Sequence, residues 1–235
     1  MGKDITKTGD ASGIATFLDK VAKTPMRRSE GPERGRLIFA LDATMSRERT
    51  WDLAMEIQAD MFEGVAKLGG LDIQLAWFRG FREFQTSKFV SDSDALLKQM
   101  VRVRCEAGLT QMGRLFRHAL KETKRGQVNA LVYVGDSFEE ALDPVADLAG
   151  QLGVMGVPLF LFHEGTDARA KSAFETFAKL SGGAAVAFDP NARDQLRALL
   201  KAVAAYASGG VEQLDRLADQ QGGPVALLTK QMRSR

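Results

Sequence analysis

Short, unbroken apolar runs alternate with longer amphipathic stretches along most of this chain, and that alternation narrows the fold more than any other feature. Leu37–Leu41, Leu71–Phe78, Ala130–Val134, Val157–Phe162 and Ala184–Phe188 are almost wholly apolar. A strand apolar at both alternating positions is buried on both faces, as parallel strands covered by helices are. Between them, apolar residues recur at helical spacing. Ala54, Ile57, Met61, Phe62, Val65 and Leu68 share a face across 50–68. Met112, Leu115, Phe116, Ala119 and Leu120 do so across 112–124, and Leu142, Val145, Leu148, Ala149 and Leu152 across 138–152. Further helices are predicted over 92–101, 168–180 and 191–207. Only Gly80 and a short turn separate the strand 71–78 from a third strand, 83–90. A parallel crossover needs a dozen or more residues, so these two pair antiparallel. The prediction is a doubly wound α/β fold. Its sheet is six-stranded and mostly parallel, in the order 3-2-1-4-5-6, with one antiparallel edge strand and helices on both faces.

Residues 1–35 read as an appendage. Ile14, Phe17, Leu18 and Val21 have helical spacing behind Ser12, and Pro25, Gly31, Pro32 and Gly35 mark a linker. The main domain is expected over 36–208, with a less regular extension over 209–235. At 235 residues the chain holds one good core. Basic and acidic side chains number 32 and 30, so a net charge of +2 gives no electrostatic footprint for nucleic acid. Arg27, Arg28, Arg34 and Arg36, interrupted by Glu30 and Glu33, read as a solvated linker. Cys105 has no second cysteine to pair with, and His118 and His163 are too few to build a zinc site with it. No apolar stretch approaches the roughly 20 residues of a membrane span. The N-terminus lacks an apolar signal region, so the expected compartment is the cytoplasm.

The chemistry concentrates where the first strand ends, in Asp42-Ala43-Thr44-Met45-Ser46. One carboxylate and two hydroxyls on one turn are hard oxygen donors suited to Mg²⁺, Mn²⁺ or Ca²⁺. In a doubly wound sheet, ligands sit beyond the carboxyl ends of the strands at the switch point, here between the first and fourth strands. The fourth strand runs into Gly135 and Asp136. The loop Gly108-Leu109-Thr110-Gln111 opens the next helix and carries a third hydroxyl to the same crevice. Asp42, Thr44, Ser46, Thr110 and Asp136 thus form a candidate ligand set.

This ordered set, Asp-x-Thr-x-Ser, then Gly-x-Thr, then a strand ending in Asp, resembles the von Willebrand factor A (VWA) domain and its metal-ion-dependent adhesion site. The resemblance spans roughly 36 to 207 and includes the Gly182-Gly183 pair before the last strand. It implies that Asp42, Thr44, Ser46, Thr110 and Asp136 hold a divalent ion, expected to be Mg²⁺ with Mn²⁺ or Ca²⁺ as alternatives. Thr44 stands where the family usually has Ser, and keeps the hydroxyl. Gly135-Asp136-Ser137 stands where it often has Thr-Asp-Gly, and keeps the carboxylate. An ion held largely by neutral hydroxyls retains positive charge, and its open position favours an Asp or Glu of a protein partner. Ser137, His163 and Glu164 are candidates for the rim. The implied role is a non-enzymatic adaptor or assembly subunit. Intracellular members of the family often work in multiprotein complexes, including with ATPases.

Rival chemistries lack parts. A haloacid-dehalogenase-type phosphatase needs Asp-x-Asp, and Thr44 cannot serve as its general acid. Gly135-Asp136-Ser137 resembles a hydrolase nucleophile block, but no histidine follows His163 to act as its base. No phosphate-binding glycine loop is present. Two readings compete with metal-dependent binding. One is a hydrolase using the same ion with Glu139, Glu140, Glu164 or His163. The other is a structural module with an incidental metal. His118 is expected to be a satisfied boundary residue, and Trp77, Phe78 and Phe81 to be strand and hairpin packing.

Overall fold

The computed structural model describes residues 34–44, 71–92, 95, 96, 98, 101–188 and 200–209. The expected N-terminal helix, the helix 50–68, Ser46 and the extension past 209 lie outside these residues.

Six strands form one sheet: β1 (Gly35–Asp42), β2 (Leu71–Arg79), β3 (Glu83–Thr86), β4 (Ala130–Gly135), β5 (Leu159–Glu164) and β6 (Ala184–Phe188). Their order is β3-β2-β1-β4-β5-β6, as predicted. All pairings are parallel except β2–β3. Gly80, with φ of 57°, makes the tight β2–β3 turn in a conformation that suits a residue without Cβ. The third strand is shorter than expected. It ends at Thr86, because the Ser87 hydroxyl takes the Leu75 N–H in place of a ladder carbonyl, and only Val90 rejoins the sheet opposite Ile73.

The strands divide the core into two layers. Leu37, Phe39 and Leu41 of β1 point to one face, where they join Val132, Phe160, Leu200, Val203 and Tyr206. Ile38 and Ala40 point to the other, with Tyr133 and Leu161. That second face is covered by α1 (Met112–Arg125), α2 (Leu142–Val154) and α3 (Ala168–Ser181). The helical residues 200–209 cover the first, with the Tyr206 ring edge-on to Phe160 at 5.8 Å. Phe116 and Phe138 both pack edge-on against Phe177, at 5.7 and 5.3 Å. Each such buried ring contributes about 1.5–3 kcal/mol of transfer free energy. Among the described residues no helix is long and apolar enough to cross a membrane.

Three boundaries differ from expectation in ways that matter for function. The helix expected from Phe138 begins at Leu142. Pro144 fits only the first turn of a helix, so 138–141 must be loop. The fifth strand runs to Glu164 rather than Phe162, so His163 and Glu164 belong to the sheet and are 2% and 5% exposed. Arg36 is no solvated linker residue. It lies in β1, with its guanidinium 3.9 Å over the Phe89 ring and donating to the Gly126 carbonyl just beyond α1. Arg34 pairs with Asp72 at 2.7 Å. Phe81 is not hairpin packing either: it sits on the turn, 78% exposed.

Candidate metal centre

The β1–β4 register ends with Leu41 opposite Val134. Asp42 is the last residue of β1, and Asp136 directly follows β4. Because the strands are parallel neighbours, both carboxylates leave the sheet at the same edge. Asp42 is fully buried and Asp136 half-buried. The Asp42 Oδ1 accepts the Thr44 N–H at 2.8 Å, which closes the turn after the strand in the manner of an Asx turn. Thr44 is itself buried and forms a parallel bridge with Glu106. Ser46 is outside the described residues.

That bridge leads the intervening loop to the site. The Glu106 N–H donates to the Ala43 carbonyl at 3.1 Å, and the Leu109 N–H donates to the Gly80 carbonyl at 3.3 Å. Thr110 follows and is 3% exposed. Its hydroxyl donates to Glu139 Oε2 at 2.8 Å, and its N–H donates to the same oxygen at 3.0 Å. The Glu139 N–H in turn donates to the Thr110 hydroxyl oxygen at 3.3 Å. A hydroxyl has one proton and two lone pairs, so one lone pair of Thr110 stays available to a cation.

Glu140 performs a related task on the neighbouring helix. The first N–H groups of a helix have no internal acceptor. Gln111 precedes α1 without a side-chain cap, and the Met112 and Gly113 N–H groups donate instead to the Glu140 carboxylate. Burial raises the Glu140 pKa, and these two backbone donors oppose the shift. The loop between β4 and α2 therefore grips both Thr110 and the start of α1. Sequence reasoning missed this bracing, since it named Glu139 and Glu140 only as hydrolase candidates. The usable signal was Pro144, which places both in a loop.

Two of the three rim candidates contact Asp136. The Ser137 hydroxyl donates to Asp136 Oδ1 at 3.3 Å. His163 Nε2 lies 3.2 Å from the Asp136 carbonyl, and its ring is edge-on to Phe174 at 5.6 Å. Burial lowers the His163 pKa, with the Asp136 carbonyl, Asp167 and Asp136 acting against it. The neutral ring with its proton on Nε2 fits this contact. Glu164 is buried at the end of β5. Gly135 leaves room for Tyr133, whose hydroxyl would stand 2.2 Å from a β-carbon at that position.

The donor chemistry fits a hard divalent cation. A buried carboxylate, Asp42, and a second one, Asp136, end neighbouring strands, and Thr110 offers a hydroxyl whose proton is already committed. Among the described residues no cluster of three or more Asp, Glu, His or Cys side chains forms a metal-binding group.

No protein-family profile and no curated protein sequence matches the chain. Solved structures do. The VWA domain of SpRpn10 superposes with a TM-score of 0.58 at 14% identity, covering 73% of this chain and 94% of that one. A von Willebrand factor type A protein from Catenulispora acidiphila gives 0.62 at 16% identity, covering 74% and 43%. An aerotolerance-related membrane protein from Bacteroides fragilis, carrying multiple mutations to serine, gives 0.55 at 15% identity over 71% and 98%. At such identities the likeness is one of fold.

Proposed function

We propose that this chain, which has the von Willebrand factor A fold, is a protein-interaction module that captures a partner carboxylate through a divalent cation. Asp42, Thr44, Ser46, Thr110 and Asp136 would hold the ion, with Mg²⁺ the expected occupant and Mn²⁺ or Ca²⁺ able to substitute. The ion would supply a positive charge that the hydroxyl ligands do not neutralise, and an Asp or Glu of the partner would complete its shell. The partner would be a protein, in a multiprotein assembly of the kind in which an ATPase can take part.

One observation carries the reading. Asp42 and Asp136 end adjacent parallel strands at the switch point of the sheet, the place where α/β folds of this type bind ligands. Three of the four groups named for hydrolysis already hold other parts of the protein. Glu139 is held by Thr110, Glu140 caps α1, and His163 Nε2 is bonded to the Asp136 carbonyl. A non-enzymatic role accords with this.

The test is affinity capture by the full chain in Mg²⁺, in EDTA, and with Asp42→Ala. Capture that needs both the ion and Asp42 supports the reading. Capture indifferent to both refutes it.

A further inference from the structure

Glu139 was not among the expected ligands, yet it makes the closest contacts to one of them. The Thr110 hydroxyl and N–H both donate to one Glu139 oxygen, at 2.8 and 3.0 Å. The two residues are 29 positions apart, on loops that each carry one arm of the candidate site. Phe138, 2% exposed and wedged against Phe177, anchors the Glu139 loop in the core. Glu139 is therefore held from below while its carboxylate reaches across to Thr110.

We propose that Glu139 is a positioning residue for the cation: its carboxylate takes the Thr110 hydroxyl proton in a hydrogen bond and turns that oxygen into a dedicated electron-pair donor. The inference rests on the reading of this edge as a cation site. Its chemistry is general. A neutral hydroxyl is a poor ligand when its proton points at the ion, and a good one when a neighbouring anion holds the proton away. A charge-assisted acceptor does this more strongly than a neutral one, and it also raises electron density on the oxygen. The Glu139 N–H occupies one lone pair of Thr110, so the remaining lone pair has its direction fixed by two contacts from the same residue.

Glu140 provides the contrast. It is the next residue, carries the same charge, and braces the same neighbourhood. Its carboxylate meets the backbone of Met112 and Gly113 and is not bonded to the Thr110 hydroxyl. Glu139 should set ion affinity, whereas Glu140 should set the stability of α1. Neutralising each in turn separates positioning from general bracing and from bulk negative charge.

The experiment titrates the full chain with Mn²⁺, followed by paramagnetic resonance of the free ion, for wild type, E139Q and E140Q. Melting temperatures are recorded without metal. Loss of an anion behind a metal ligand typically weakens binding about 10- to 100-fold, and E139Q should weaken Mn²⁺ binding by at least about 10-fold with its metal-free melting temperature unchanged. E140Q should do the reverse, lowering the metal-free melting temperature while Mn²⁺ affinity stays within about threefold of wild type. Equal losses of affinity in both variants would mean that charge alone acts, and would overturn the proposal. Unchanged affinity in E139Q would overturn it too, while leaving the cation site standing. Absence of Mn²⁺ binding by the wild type would remove the site itself, and the role of Glu139 with it.

Discussion

Gly108 lies against the carbonyl of Gly80 so closely that a β-carbon at position 108 would stand 2.0 Å from the Gly80 oxygen. The next residue, Leu109, donates its N–H to that same oxygen. The turn after β2 thus serves as the seat on which the Thr110 loop rests. Gly108→Ala forces backbone away from backbone, which no rotamer change can relieve. The expected cost is about 1–3 kcal/mol, the range for overpacked sites. A lower urea midpoint with an unchanged denaturant slope would show it. Because the displaced loop carries Thr110, Mn²⁺ affinity should fall in the same variant.

Asp42→Asn keeps the shape of the side chain and removes its charge. The wild type should gain stability on adding Mg²⁺, by about 2.7 kcal/mol at a hundred times the dissociation constant. The Asn variant should lose that gain. Melting curves with Mg²⁺ and with EDTA would coincide for the variant and separate for the wild type. Coincident curves for both would count against the cation site.

Phe138 connects the core to the site. Its ring is buried against Phe177, and the chain continues directly into Glu139. Phe138→Ala should cost about 3–5 kcal/mol, as large-to-small changes at buried aromatic positions do. Chemical denaturation measures this. Phe116→Leu, a milder change on the same Phe177 ring, should cost less and leave Mn²⁺ binding close to normal.

The two histidines give the fold a defined acid sensitivity. Burial lowers the pKa of His118, whose Nε2 meets Gln74 Oε1 at 2.7 Å, and it lowers that of His163. Both are neutral in the folded chain at pH values where the unfolded chain already binds protons. The unfolded state therefore binds more protons below the ordinary imidazole value of 6.5. Stability is fully present above that pH and declines as pH falls through it. Urea midpoints at pH 7.5 and 5.5, without metal, should show the loss, and His118→Gln should reduce the difference.

The sheet was legible because its strands are apolar on both faces and the gaps between them are helical in period. Five strands and the antiparallel hairpin follow from that pattern alone. The errors lie at ends. Phe138–Ala141 reads Phe-Glu-Glu-Ala, which contains no helix breaker, and only Pro144 marks it as loop. The sequence places Asp42, Thr110 and Asp136 because each ends or opens an element. It does not disclose the Glu139–Thr110 and Glu140–Met112 contacts, since those join residues nearly 30 positions apart with no local pattern to announce them. His163, named for the rim, meets the Asp136 carbonyl from within β5, a strand end the apolar run alone did not reach.

The β1–β4 pairing has a consequence for how the protein comes into being. Arg36 donates its N–H to the Asn129 side chain across 93 residues of sequence, and the register that follows is what sets Asp42 beside the end of β4. Contacts between such distant segments form late, since a large loop must close before they repay its entropy. During synthesis, Asp42 emerges long before Asp136 exists. That edge is therefore a product of completed folding, and any ion bound there would join a finished sheet rather than act as the seed around which it condenses.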